Sequence, residues 1–252
     1  MKDLNQALFS QYARHYDSMA RRERLPEDLE KLKRDRLPPW LSEIPRDARI
    51  LDLGCAQGHL LEALRRVGYT RLTGVDLSSE LLSSARRLLP ETVRLIQADL
   101  CEWLKEEPDE SFDVVFLHDV LEHLPRESVV DVLRDIRRVL APGGRLSVRV
   151  PNLAGLSGVF LMASDFTHVT PFTEISLFQV LEASGFDPHR IVLQSQAPRL
   201  FWSWHTPHRA LFRLANRVRW HLNNFIHQGI YLLSDIVVPQ VSDPALVMVA
   251  RK

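Results

Sequence analysis

The 252-residue chain sets 32 Lys and Arg against 32 Asp and Glu, so its formal charge is zero. No global basic excess draws it to nucleic acid, and none is expected as a partner. Hydrophobic residues at 45% and charged residues at 25% describe a globular protein long enough for one large domain with insertions. Two cysteines, Cys55 and Cys101, exclude a disulfide framework and a zinc knuckle, which points to a reducing compartment. The first residues show no apolar h-region, so no leader is expected, and no apolar run reaches about 18 residues. A cytoplasmic protein is expected, with peripheral attachment to a membrane surface left open.

Residues 1–47 read as an N-terminal helical cap. Tyr12 and Tyr16 lie on a helix-like stretch, 21–36 is a highly charged solvated helix, and Pro38-Pro39 ends it. The core, 48–195 with 243–252, then alternates strands and helices. Strands are expected at 49–53, 71–75, 93–97, 113–118, 145–150, 189–195 and 245–250. Helices are expected at 58–67, 78–88, 127–139 and from 174 to about 183. Ser78 or Ser79 caps the second core helix, and Gly68, Pro142-Gly143-Gly144 and Gly185 act as stops. The alternation predicts an α/β fold, a doubly wound, mostly parallel seven-stranded sheet with ligands at its carboxyl edge.

The stretch Asp52-Leu53-Gly54-Cys55-Ala56-Gln57-Gly58 ends the first strand in an acid and a turn of small residues, where backbone can approach a ligand. Asp76 ends the next strand about 20 residues later, a place suited to ribose hydroxyls. The dinucleotide fingerprint fails, because its three glycine positions hold Gly54, Ala56 and His59. The pattern resembles the first motif of class I S-adenosylmethionine-dependent methyltransferases, with Ala56 in place of the usual middle glycine. Gln97-Ala98-Asp99-Leu100, Phe112-Asp113 with the strand after it, and the 140–148 turn and strand resemble the later motifs in order. The resemblance implies a Rossmann-like methyltransferase fold and S-adenosyl-L-methionine as cofactor, leaving S-adenosyl-L-homocysteine. It also implies cofactor contacts from Asp52, Gly54, Cys55, Ala56, Gly58, Asp76, Leu77, Asp99, Leu100 and His118. The Tyr12 and Tyr16 pattern resembles a helix that closes over the methionine end in these enzymes; packing of both tyrosines on the core is the alternative.

After the fourth strand comes His118-Asp119-Val120-Leu121-Glu122-His123. If a helix begins at 119, then Asp119, Glu122 and His123 share one face. With His168 they could hold a divalent cation, magnesium or manganese by the share of oxygen ligands. The pattern with its downstream Thr167-His168 resembles ubiquinone-biosynthesis O-methyltransferases and small-RNA 2′-O-methyltransferases, although Asp119 replaces a Glu. The alternative is Glu122 pairing with an arginine or capping a helix. His118, His123 and His168 are the candidate bases for an alcohol acceptor, His168 or His118 first.

The segment 153–170 reads as an insert rich in Gly and Ser. The Thr167-His168 to Phe186 region loosely resembles methyltransferases of bacterial sugar-polymer biosynthesis, which implies a sugar or glycan hydroxyl as acceptor, free or lipid-linked. Quinone-like or phenolic acceptors are the second reading, and a catalytically silent cofactor-binding scaffold is the third. Residues 196–242 form a further insertion with five arginines, 199, 209, 213, 217 and 219, against the single acid Asp235. Leu211, Leu214, Ala215, Val218 and Leu222 recur in it at helical spacing, among several Trp and Phe. It can be a lid packed on the core, which we take first, a homodimer contact, or an amphipathic membrane-surface segment.

Overall fold

A computed structural model describes residues 27–194 and 243–252. It also describes Leu8, Tyr12, Leu25 and the helical positions 217, 218, 221, 222, 225, 226, 228 and 229, Pro26 and the rest lying outside this set. Tyr16, most of the cap before residue 27 and most of 196–242, including its tryptophans, therefore lie outside the described residues.

Helix α1 (Leu29–Arg36) and a 3₁₀ turn at Pro39–Glu43 lead into the core. The order is then β1 (Arg49–Leu53), α2 (His59–Arg66), β2 (Arg71–Asp76), α3 (Ser79–Leu88), β3 (Arg94–Gln97), α4 (Leu100–Glu106) and β4 (Phe112–His118). A 3₁₀ turn at Leu121–His123 precedes α5 (Arg126–Val139), β5 (Leu140–Pro151), α6 (Leu156–Ser164), α7 (Glu174–Ala183), β6 (Ile191–Gln194) and β7 (Ala245–Arg251). The seven strands form one sheet, β3-β2-β1-β4-β5-β7-β6. The first five run parallel, and β7 lies antiparallel between β5 and β6. The chain reverses its winding between β1 and β4, which opens a crevice at their carboxyl ends.

Both faces of the sheet are covered, as strands with little polar alternation require. On one face Leu51, Leu53, Val115 and Leu117 pack with Val129, Leu133 and Ile136 of α5. On the other, Ile50, Val114 and Phe116 pack with Leu61 and Leu64 of α2 and with Trp40. Trp40 stacks on Phe116 at 5.9 Å, so the segment before β1 belongs to this core. The expected stops are in place: Ser78 Oγ accepts the Leu81 N–H at 3.3 Å, capping α3, and Gly68 and Gly185 take positive φ after α2 and α7.

Three expectations are corrected. The fifth strand begins at Leu140, five residues early, and absorbs Pro142-Gly143-Gly144 as an irregularity that shifts its register on β4. The insert at 153–170 contains α6, whose Gly158 has Asn152 backbone 1.8 Å from where a Cβ would stand. No helix begins at 119: Asp119 is left-handed (φ 55°) and only the short 3₁₀ turn follows. Among the described residues no helix is long and apolar enough to cross a membrane.

Candidate active site

The turn after β1 is tied to β2 by its own backbone. The N–H groups of Gly54 and Cys55 both donate to Val75 O, at 2.8 and 3.1 Å. Gly54 has φ +75°, and a Cβ there would lie 2.3 Å from Val120 Cγ2, so only glycine fits. Gly58 starts α2 in the same left-handed region and faces Leu89 and Ala85 of the α3 side, so its role is packing. Asp76 binds both sides of the crevice: one carboxylate oxygen accepts the Ala56 N–H and the other the Ser78 N–H, each at 2.8 Å. Each oxygen keeps a second acceptor position for a ligand hydroxyl. Asp99 accepts the Cys101 N–H at 2.8 Å and so caps α4.

These elements enclose a cavity of about 990 Å³, at the upper end of the range for small-molecule pockets. Asp52, Gly54, Cys55 and Ala56 line it from β1, Asp76 and Leu77 from β2, and Asp99 and Leu100 from β3. His118, His123 and Tyr12 line the remainder. Of the expected cofactor residues that are described, only Gly58 stands behind the wall. Sequence reasoning missed Arg149, the one Lys or Arg among the described lining residues. Its signal was a charged residue at the carboxyl end of a buried strand.

The cavity is acidic. Four carboxylates, Asp52, Asp76, Asp99 and Asp119, face the single guanidinium of Arg149. Burial, and then the neighbouring Asp76, push the Asp52 carboxyl up to about 8, with Arg149 opposing. Burial also raises Asp76, against the pull of its two backbone N–H donors. Such a lining favours a cationic ligand. The Cys55 thiol is driven far up by burial and then by Asp52, which removes it as a nucleophile and leaves it as a small residue of the turn.

Beyond the carboxyl end of β4, Glu122, His123 and His168 offer one ligand atom each within 4.8 Å of one another. Glu122 is 1% exposed, and neither carboxylate oxygen has a hydrogen-bond partner. Burial, and then Asp119, hold its carboxyl well above the usual range. Its backbone carbonyl accepts the N–H groups of Val169 and Thr170, at 2.8 and 3.0 Å, which brings the Thr167-His168 segment to the turn. His168 Nε2 lies 4.0 Å from Glu122 Oε1, and its Nδ1–H donates to Met162 O at 3.2 Å.

His123 sits at the head of a relay. Thr167 Oγ1 donates to Asp165 Oδ1 at 2.6 Å, so it accepts from His123 Nδ1–H at 2.8 Å. Burial raises Asp165, but the Thr167 hydrogen bonds outweigh it and the carboxyl stays below its ordinary value. The imidazole Nε2 therefore carries the lone pair, and Tyr12 Oη stands 3.4 Å from it. Burial, then His168, lower His123 to about 4, so its ring is neutral.

Two expected placements differ. Asp119 leaves the cation group: its carboxylate forms a two-pronged ion pair with the Arg149 guanidinium across the ends of β4 and β5. With Asp119 left-handed and only a 3₁₀ turn after it, the helical alignment with Glu122 and His123 is absent. His168 lies against His123, ring centroids 4.6 Å apart, and does not line the cavity. His118 does line it, but burial, then Arg149, lower it to about 3, and its Nε2 is hydrogen-bonded to Ser147 Oγ at 2.9 Å.

The family described as a methyltransferase domain matches residues 50–144. The trans-aconitate 2-methyltransferase of Azoarcus sp. (strain BH72) is 38% identical over 44% of this chain and 43% of its own length. The ubiquinone biosynthesis O-methyltransferase of Xanthomonas oryzae pv. oryzae (strain PXO99A) is 36% identical over 42% of this chain and 44% of its own. The chain thus spans under half the length of the curated relatives it matches. A solved S-adenosylmethionine-dependent methyltransferase from Archaeoglobus fulgidus has the same fold, with a TM-score of 0.62 and 21% identity over 98% of this chain and 99% of that one. Sheet order, the turn at Gly54 and the family match coincide on one stretch of sequence, and residues 50–144 are similar to the methyltransferase domain family.

Proposed function

We propose that this chain transfers a methyl group from S-adenosylmethionine to the hydroxyl oxygen of a small molecule. The observation that carries the reading is His123. One end of its imidazole is fixed by Thr167 and Asp165, and the other presents a lone pair at the cavity that Asp76 and Asp99 also line. When bound, the cofactor supplies an electrophilic methyl group on a sulfonium, a cation suited to the acidic lining. The chain's own part is to align acceptor and donor and to receive the hydroxyl proton at His123 Nε2. Arg149, now held by Asp119, is the group fitted to take a ligand carboxylate.

The acceptor class follows from the proton. A carboxylate, as in the substrate named for the Azoarcus relative, needs no base, whereas the relay of His123, Thr167 and Asp165 is useful to a hydroxyl. The phenol of Tyr12 on His123 Nε2 occupies the place such a hydroxyl would take, and the Xanthomonas relative is named for a quinone pathway. We therefore place a phenolic acceptor ahead of a sugar or glycan hydroxyl. The division into cap 1–47, core 48–195 with 243–252, and insertion 196–242 is part of the same proposal.

A second reading rests on the unpartnered oxygens of Glu122. Both histidines donate Nδ1–H to an oxygen, which leaves Nε2 as the nitrogen with a lone pair, an arrangement typical of metal-binding imidazoles. A cation held by Glu122, His123 and His168 would supply Lewis acidity that lowers the pKa of an acceptor hydroxyl. One carboxylate and two imidazoles suit a first-row transition ion better than magnesium. The two readings compete for His123 Nε2.

Calorimetric titration with S-adenosylmethionine and S-adenosylhomocysteine, followed by a methyl-transfer assay on phenolic and sugar acceptors, tests the proposal. Saturable binding with turnover on phenols is expected. Saturable binding without turnover on any acceptor favours the scaffold reading. Loss of turnover with a chelator and recovery with manganese or cobalt selects the cation reading.

A further inference from the structure

Thirteen large hydrophobic side chains are exposed among the described residues, and eight of them fall in two short stretches. Val218, Leu222, Phe225 and Ile226 are 58, 56, 74 and 50% exposed on helical positions spaced i, i+4, i+7 and i+8, one face of a helix. Val159 and Phe160 of α6, with Phe166 and Val169 after it, are 48, 72, 77 and 49% exposed. Elsewhere the same helical spacing is buried: Val129, Val132, Leu133 and Ile136 of α5 are at most 4% exposed. Among the described positions of 196–242, these four side chains lie on the outer surface rather than against the core.

We propose that the Val218, Leu222, Phe225 and Ile226 face docks on the surface of an anionic lipid bilayer. Charge decides the occupant. The segment 196–242 carries five arginines against one acid in a chain whose total charge is zero. Arg217 adjoins the apolar stripe on the same helical stretch. An apolar stripe bordered by arginine, with Trp202, Trp204 and Trp220 in the same segment, is the composition of helices that lie in the headgroup region. A symmetric dimer through this face would bring two copies of the same positive segment together, which an anionic surface avoids. Among the described residues no helix is long and apolar enough to cross a bilayer. The second patch is an apolar surface of α6 without a charged residue. It is joined to the active-site cluster through the Val169 N–H on Glu122 O, at 2.8 Å.

The test is co-sedimentation of the full chain with large vesicles of phosphatidylcholine alone and of phosphatidylcholine with phosphatidylglycerol. Binding to the anionic vesicles at least about tenfold tighter than to the neutral ones is expected, weakening as salt screens the arginines. The double variant Phe225→Ser/Ile226→Ser should lose most of that binding while keeping the wild-type circular dichroism and melting temperature. A wild-type protein that ignores both vesicle types overturns the proposal, as does a folded double variant that binds like wild type. Sedimentation velocity showing a stable dimer that the variant dissolves would assign the face to self-association instead. None of these readouts depends on methyl transfer, so this idea and the proposed activity can fail separately.

Discussion

At the level of single residues, the site concentrates polar groups that the fold alone does not need. Asp52 is the clearest case, because its carboxyl is pushed up to about 8 by burial and then by Asp76. A cationic ligand in the acidic cavity stabilises the ionised form and lowers that value. Between the liganded value and about 8, binding then releases a proton, so affinity rises with pH by up to about tenfold per unit and flattens above about 8. S-adenosylmethionine bears the sulfonium and S-adenosylhomocysteine does not, so the ratio of their affinities should climb over the same interval. Calorimetry of both ligands from about pH 6 to about pH 9 reads it, and a ratio independent of pH would sink the assignment.

Glu122 gives a second prediction of the same kind. Two buried oxygens without partners cost stability, and an apolar side chain of similar size removes the cost. Glu122→Leu should raise the unfolding free energy of chelator-treated protein by about 1–3 kcal/mol. It should also abolish any cation binding. Chemical denaturation reads the first effect; a less stable variant would mean that the carboxylate has a partner in the folded protein. A residue kept at a cost to stability belongs to function.

At the level of elements, the turn after β1 shows what a sequence motif carries and what it conceals. Ala56 stands where relatives of the resembled family have glycine, and its φ of +45° is one that L-residues adopt at a cost. Ala56→Gly should therefore be neutral to stabilising, by up to about 1 kcal/mol in thermal unfolding, because relief of the left-handed strain outweighs the added chain entropy. Marked destabilisation would mean that the alanine methyl makes a contact worth more than the strain.

The strands were legible because the sheet is buried on both faces and each apolar run ends in a turn residue: β1 falls at Arg49–Leu53 as expected. The misses have local causes. The α6 stretch reads as part of an insert rich in Gly and Ser, and its Gly158 is explained by Asn152 backbone, a neighbour in space that local pattern does not reveal. The 119–123 stretch has helical spacing on paper. The hydrogen bond from Asp119 N–H to Arg149 O and the ion pair between their side chains hold it in another conformation. The three histidines were legible as residue types near the mouth. Which of them holds a fixed lone pair toward the cavity depends on Thr167 and Asp165, 44 and 42 positions after His123, and no short-range pattern contains that.

For the whole molecule, the question is what the sheet requires of the chain between β6 and β7. The two strands pair antiparallel, with Gln194 opposite Val247, so residues 195 and 196 would face 246 and 245 if the strands ran on. That geometry is a hairpin waiting for a short loop. Asp243 and Pro244 must stay, because their carbonyls accept the side-chain and backbone N–H groups of buried Asn152, at 3.0 and 2.9 Å, and so anchor the end of β5. Joining Gln194 to Asp243 through a short loop containing Asn-Gly should therefore give a protein that unfolds cooperatively. Loop closure contributes little to the change, since its cost varies only slowly with length. The excised protein should keep its affinity for S-adenosylhomocysteine and lose its attachment to anionic vesicles. A product that is insoluble or lacks a cooperative transition would show that 196–242 completes the core, and both the insertion and the membrane-facing role would fall with it. A folded product that no longer binds the cofactor product would make the segment part of the cavity wall, which returns it to the role of a lid.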